Sequence, residues 1–265
     1  MKASKLDAIT TVVCTLFCLF LFRIDLHPWK YLTLSLFVNR LFLFCISVRN
    51  GAVILDAFCG CGGNAIGFAK LKRSEVKLVI CIDIDRSKLK MAANNAHIYG
   101  IEKDRIIFIE SDTTFILQQC YKDGTLVDLE GLLEARKATI EMNRVETEIV
   151  KGYKIGGPDL LPQRLDAIFL SPPWGGPNYM TMGKKGYLLQ SIILPSWDKT
   201  TINGEDLLQL SKNACKQKIV IYFVPRTING NEVGKSAFKA GYRDIEVEKN
   251  VLNGKLKTVT IYCAK

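Results

Sequence analysis

The chain has 265 residues, enough for one large domain or for a domain with an appendage. Hydrophobic residues make up 48% and charged residues 23%, which excludes a disordered chain, and the net charge of +10 points to an anionic partner, nucleic acid ahead of a membrane surface. Nine cysteines lie mostly inside apolar runs, Cys59 and Cys61 have no second pair at metal spacing, and His27 and His97 are the only histidines. No disulfide framework and no metal site are therefore expected, and the compartment is expected to be reducing.

Residues 1–50 differ from the rest. Ile9 to Phe22 is almost wholly apolar, Arg23 to Lys30 interrupts the run, and Tyr31 to Val48 is apolar again apart from Asn39 and Arg40. Three readings stay open. One is membrane contact through residues 9–48, although the first run is short for a bilayer and the second carries a charge near its middle. Another is a signal peptide, against which stand the lack of a small-residue cleavage site and the later cysteines. The third is an accessory helical lobe, or a stretch translated from non-coding sequence.

From Gly51 the pattern is that of an α/β fold. Gly51 to Asn64 reads as a short apolar strand, an acid at Asp56 and a turn with glycines at 60, 62 and 63, followed by a helix over Ala65 to Leu71. A glycine-rich turn alone fits several nucleotides. Asp56 ahead of it suits a cationic ligand and would repel a pyrophosphate, so S-adenosylmethionine, with an ammonium and a sulfonium, is favoured over NAD. Leu78 to Asp85 is a second buried strand, with Asp83 placed to take both ribose hydroxyls. A helix follows over Arg86 to Tyr99, with Gly100 as its stop; Asn94 and Asn95 need no catalytic role in it. Arg105 to Asp112 is a third strand, and Asp112 is placed to accept from an adenine amino group. Three strands in β-α-β-α-β order, each ending in an acid, make a nucleoside site.

Thr113 to Arg164 is expected to be a surface insertion, with an amphipathic helix over Leu129 to Lys151 and a loop over Gly152 to Pro162. Asp166 to Leu170 is a buried strand that runs into Ser171-Pro-Pro-Trp174, at the edge of an open sheet where ligands bind. The two prolines stiffen this loop and Trp174 offers a platform for a flat ring. An exocyclic amine on a purine is a poor nucleophile. The Ser171 side-chain oxygen and the Pro172 carbonyl can accept from its N–H groups while Trp174 stacks on the ring, and no strong base is needed. A helix near Gly204 to Cys215 and a strand over Lys218 to Arg226 follow. Arg226 at that strand's end suits a phosphate. Ile245 to Val251, Asn253-Gly254 and Leu256 to Ala264 read as a hairpin.

The pieces DAFCGCGGN, CIDID, SPPWGGPNY, YFVPR and NVLNGKLKTVTIY together resemble the trimethylguanosine synthase family, the RNA cap guanosine-N2 methyltransferases. The resemblance covers residues 51–265 apart from 113–164. It implies a class I S-adenosylmethionine-dependent methyltransferase, Rossmann-like, with a mostly parallel sheet closed by an antiparallel C-terminal hairpin. It implies donor binding at Asp56, Phe58, Gly60, Gly62, Asn64, Asp83 and Asp112. The N2 amine would face Ser171 and Pro172, the 7-methylguanine would stack on Trp174, and Asn178 and Arg226 would meet the cap. The partner would be a 7-methylguanosine-capped RNA, hypermethylated on small nuclear and nucleolar RNAs in nucleus and cytoplasm. The family's helical lobe ahead of this fold, with its basic-aromatic signature, has no counterpart in residues 1–50. Two rivals are an adenine-N6 methyltransferase and a cap-binding pseudo-enzyme.

Overall fold

A computed structural model describes residues 51–129, 131–132, 145–175 and 186–265. The apolar segment, the centre of the expected amphipathic helix and Asn178 lie outside the described residues. Among those described, no helix is long and apolar enough to cross a membrane.

The core is one nine-stranded sheet. In chain order its strands are β1 (Ala52–Asp56), β2 (Val76–Asp83), β3 (Ile106–Glu110), β4 (Glu148–Val150), β5 (Tyr153–Gly156), β6 (Ala167–Leu170), β7 (Ile219–Pro225), β8 (Asp244–Leu252) and β9 (Lys255–Ala264). Their order across the sheet is β8-β9-β7-β6-β1-β2-β3-β5-β4. Strands β7 to β5 in that order run parallel, and β9 and β4 pair antiparallel at the two sides. β1 and β6 are buried along their whole length, as strands covered on both faces must be.

Helices cover both faces. α1 (Gly63–Ala69) and α2 (Arg86–Ile98) lie on one, where Phe68 meets Phe169 edge-on at 5.4 Å. The other face carries the short turns Thr113–Phe115 and Ile116–Cys120 and α3 (Gly204–Ala214), with α4 (Gly230–Lys239) beside it. α2 begins where Asp85 accepts from Ser87 N and buries Leu89, Ala92, Ala93 and Ala96, one helical stripe. α3 begins with a capping box between Asn203 and Asp206. The β8–β9 turn has Asn253 and Gly254 both at positive φ (52° and 69°), the conformation that matches strand twist in a two-residue hairpin.

One expectation is corrected. The described parts of residues 113–164 are not a surface insertion. Their far end supplies β5, parallel to β3, and β4, antiparallel to β5, and buries Tyr153 and Ile155 against the core. The reason is topological: without β5, the apolar edge of β3 would face water. Residues 148–150, expected to be helix, are therefore strand, and Gly152 to Pro162 contains strand rather than loop alone. Thr113 to Cys120 is buried too, apart from the half-buried Gln118 and Gln119.

Candidate active site

Strand order reverses between β1 and β6, since chain connections leave β1 toward β2 on one side and reach β6 on the other. In open α/β sheets the crevice outside such a point binds ligands. Asp56 ends β1 and pairs in register with Phe169 of β6; Ser171 follows β6 directly. Asp83 ends β2, and Asp112 lies two residues beyond Glu110, the end of β3. The parallel run thus brings all three acids and the Ser171–Trp174 loop to one edge.

Asp56 is wholly buried and neither carboxylate oxygen has a hydrogen-bond partner. Burial pushes its carboxyl up to about 7, and the Asp83 charge adds to the rise. The backbone N–H groups of Phe58 and Ala65 pull the value back, but neither makes a bond of good geometry. Among the described residues no positive charge contributes to the shift. A buried carboxylate that lacks both donor and cation fits a ligand carrying a positive charge.

The turn after β1 is held from three sides. Gly60 N donates to Asp83 Oδ2 at 3.0 Å, Cys59 N donates to Ile82 O at 2.8 Å, and Asn95 Nδ2 donates to Cys61 O at 3.0 Å. Gly60 and Gly62 take φ of 52° and 84°, where a side chain is strained. A Cβ on Gly62 would also sit 3.0 Å from the Cβ of Ala92, so α2 packs on bare backbone. Asp83 Oδ1 accepts from Asp85 N at 2.9 Å. Each Asp83 oxygen keeps a further lone pair for a ligand hydroxyl. Phe58 and Asn64 are half-buried in the same turn and the start of α1.

Ser171 Oγ donates to Phe58 O at 3.2 Å, so the two loops at the reversal point are joined. With its hydrogen used, the hydroxyl can only accept from a third group. Pro172 is buried, and Trp174 is half-buried. The indole lies tilted by 37° against Phe223, centroids 5.7 Å apart, and its Nε1 donates to Phe223 O at 3.3 Å. Tyr187 Oη donates to Trp174 O at 2.9 Å, while Tyr187 itself is bonded to Thr227 and Asn229 beyond β7. Arg226 is exposed one residue past β7, on the same edge. Among the described residues no group of three or more His, Cys, Asp or Glu could hold a metal.

Sequence reasoning missed Asn95, Thr113, Thr114 and Tyr187. Thr113 Oγ1 donates to Ala57 O and ties the end of β3 to the end of β1. Thr114 had a readable signal, because Asp112 two residues ahead is an ordinary helix N-cap. The partners of Asn95 and Tyr187 are set only by the fold.

Sheet order, the acid-bearing strand ends and the C-terminal hairpin define a class I methyltransferase fold. A solved structure with that fold, magnesium protoporphyrin IX methyltransferase from Synechocystis PCC 6803, superposes with a TM-score of 0.51 at 12% identity, over 97% of each chain. The model of one family, described as RNA cap guanine-N2 methyltransferase, matches residues 51–265, and the chain belongs to that family. Trimethylguanosine synthase from Schizosaccharomyces pombe is 34% identical over 140 residues, 53% of this chain and 40% of that protein. Trimethylguanosine synthase from Saccharomyces cerevisiae is 27% identical over 190 residues, 72% of this chain and 44% of that protein. The chain thus matches less than half the length of either relative.

Proposed function

We propose that this chain transfers methyl groups from S-adenosylmethionine to the exocyclic N2 of a 7-methylguanosine cap, giving the trimethylated cap of small nuclear and nucleolar RNAs. Location in nucleus and cytoplasm goes with that substrate. Family membership supports the reading. The observation that carries it is the Ser171–Phe58 hydrogen bond, which sets an acceptor-only oxygen beside the glycine turn.

The cofactor, when bound, supplies an electrophilic methyl group on a sulfonium. Asp56 would hold its ammonium, relieving a buried carboxylate that otherwise has no partner. Asp83 would take the ribose hydroxyls and Asp112 the adenine amine, with Gly60 and Gly62 admitting the ligand close to backbone. On the other side Trp174 would stack on the 7-methylguanine, whose positive charge strengthens the contact with an indole. Ser171 Oγ and the Pro172 carbonyl would accept from the N2 amine and raise lone-pair density on nitrogen. No base is required, because the nitrogen is strongly acidic once methylated and sheds its proton afterwards. Alignment in a site with little water does most of the work. Arg226, and Asn178 beyond the described residues, would meet the cap.

Incubating the full chain with S-adenosylmethionine and 7-methyl-GDP, GDP or an adenine-containing RNA tests this by product mass. Methylation of 7-methyl-GDP alone is expected. If fusion to the family's preceding lobe is needed, that fusion should show the same preference. Transfer to adenine, or tight donor binding with no transfer in either form, would replace the proposal with one of its rivals. Trp174→Ala should abolish turnover of 7-methyl-GDP; full activity in that variant removes the stacking role.

A further inference from the structure

The turn after β3 carries more hydrogen bonds than a helix cap needs. Asp112 Oδ1 accepts from Thr114 N at 2.7 Å, which alone completes the cap. The Thr114 hydroxyl adds a second bond to the same oxygen, donating to Asp112 Oδ1 at 2.7 Å. A lone pair then meets a donor from a distant part of the chain. Trp197 N donates to Thr114 Oγ1 at 3.0 Å, and Ser196 Oγ lies 3.2 Å from the same oxygen, within hydrogen-bond distance. With its hydrogen on Asp112 and the Trp197 amide on one lone pair, this hydroxyl is oriented from both sides, and Ser196, whose side chain also bonds to Asp198, packs against it.

Ser196 and Trp197 are themselves fixed. Ser196 N donates to Thr200 O at 2.8 Å, and Trp197 Nε1 donates to Gln118 Oε1 at 2.7 Å. The Trp197 ring stands edge-on to Phe115 with centroids 5.9 Å apart. Thr114 and Ser196 are buried, whereas Asp112 is half-buried. Every described contact of the Asp112 carboxylate falls on Oδ1. Oδ2 is thereby left as one acceptor held at a set angle.

We propose that Thr114 is a positioning residue: locked by Ser196 and Trp197, it makes Asp112 a single oriented acceptor for the exocyclic amine of the methyl donor's adenine. The inference rests on the role given to Asp112 above. A pinned carboxylate cannot turn away from a ligand that lacks the amine. A 6-oxo purine would place its carbonyl against Oδ2 and leave both oxygens unpaired. The network therefore sets discrimination between adenosine and inosine forms of the donor.

Calorimetric binding of S-adenosylhomocysteine and of its deaminated analogue, S-inosylhomocysteine, to the full chain tests this without turnover. The wild type should favour the adenosine form on the order of 10- to 100-fold, as expected for a hydrogen bond to a charged group. Thr114→Val, which keeps shape and removes the hydroxyl but leaves the Thr114 N bond to Asp112, should lower that preference several-fold, and Thr114→Ser should keep it. Ser196→Ala should lower it partway, and it carries the test if Thr114→Val does not fold, as melting of the unliganded variants will show. A wild-type preference in Thr114→Val, or in Ser196→Ala where that variant carries the test, overturns the proposal. Failure of the wild type to bind S-adenosylhomocysteine instead overturns the donor-site reading beneath it.

Discussion

Asp56 is ionisable yet sealed from water, so its proton reports both on stability and on ligand binding. The unfolded chain releases this proton near pH 4 and the folded chain keeps it until about 7. Between those values the folded state binds the extra proton, so the stability of the unliganded protein falls as pH rises and levels off above about 7. The full effect is on the order of 4 kcal/mol. Urea titrations at several pH values should show this slope in the wild type and lose it in Asp56→Asn. A cationic ligand needs the carboxylate, so S-adenosylhomocysteine, whose ammonium is intact, should bind more tightly as pH rises toward about 7, with release below that pH of a proton that Asp56→Asn does not release. Asp56, Asp83 and Asp112 were legible in sequence because an acid after an apolar run marks a strand end. Asn95 and Tyr187 were not, since their partners Cys61 and Trp174 meet them only through folded backbone.

At the scale of elements, the hairpin was readable and the middle stretch was not. Asn253-Gly254 between alternating runs is a local signal, and β8 and β9 pair on either side of it. β5 has only four residues, one of them the exposed Lys154, and its pairing with β3 joins segments about fifty residues apart, so period and length both conceal it. Its weight in the core is large nonetheless. Tyr153 is fully buried, donates through its hydroxyl to Ile101 O and stands edge-on to Phe108 at 5.9 Å. Tyr153→Phe should cost about 1 kcal/mol and Tyr153→Ala about 3–5 kcal/mol in denaturant unfolding. A cost below 1 kcal/mol for the alanine variant would return this stretch to the status of an appendage.

Over the whole molecule, the net charge of +10 is in keeping with the polyanionic substrate proposed above. Fold class was readable, as was the gathering of the candidate residues at one sheet edge, because both follow from strand order. The reversal of that order between β1 and β6 has a kinetic consequence. Both loops of the site hang from the two strands with most neighbours on either side, while β8 and β4 lie at the rims. Ala57 N, bonded to Phe169 O, and Cys59 N, bonded to Ile82 O, belong to that interior ladder. Rim strands can open without disturbing it. In deuterated solvent the Ala57 and Cys59 amides should therefore exchange only when the whole chain unfolds, well after those of β4. Rapid exchange at these two positions would show the site to be a separately opening unit. With slow exchange, heat inactivates this protein in a single step with the loss of its sheet, and no partly opened form leaves the core standing with a broken site.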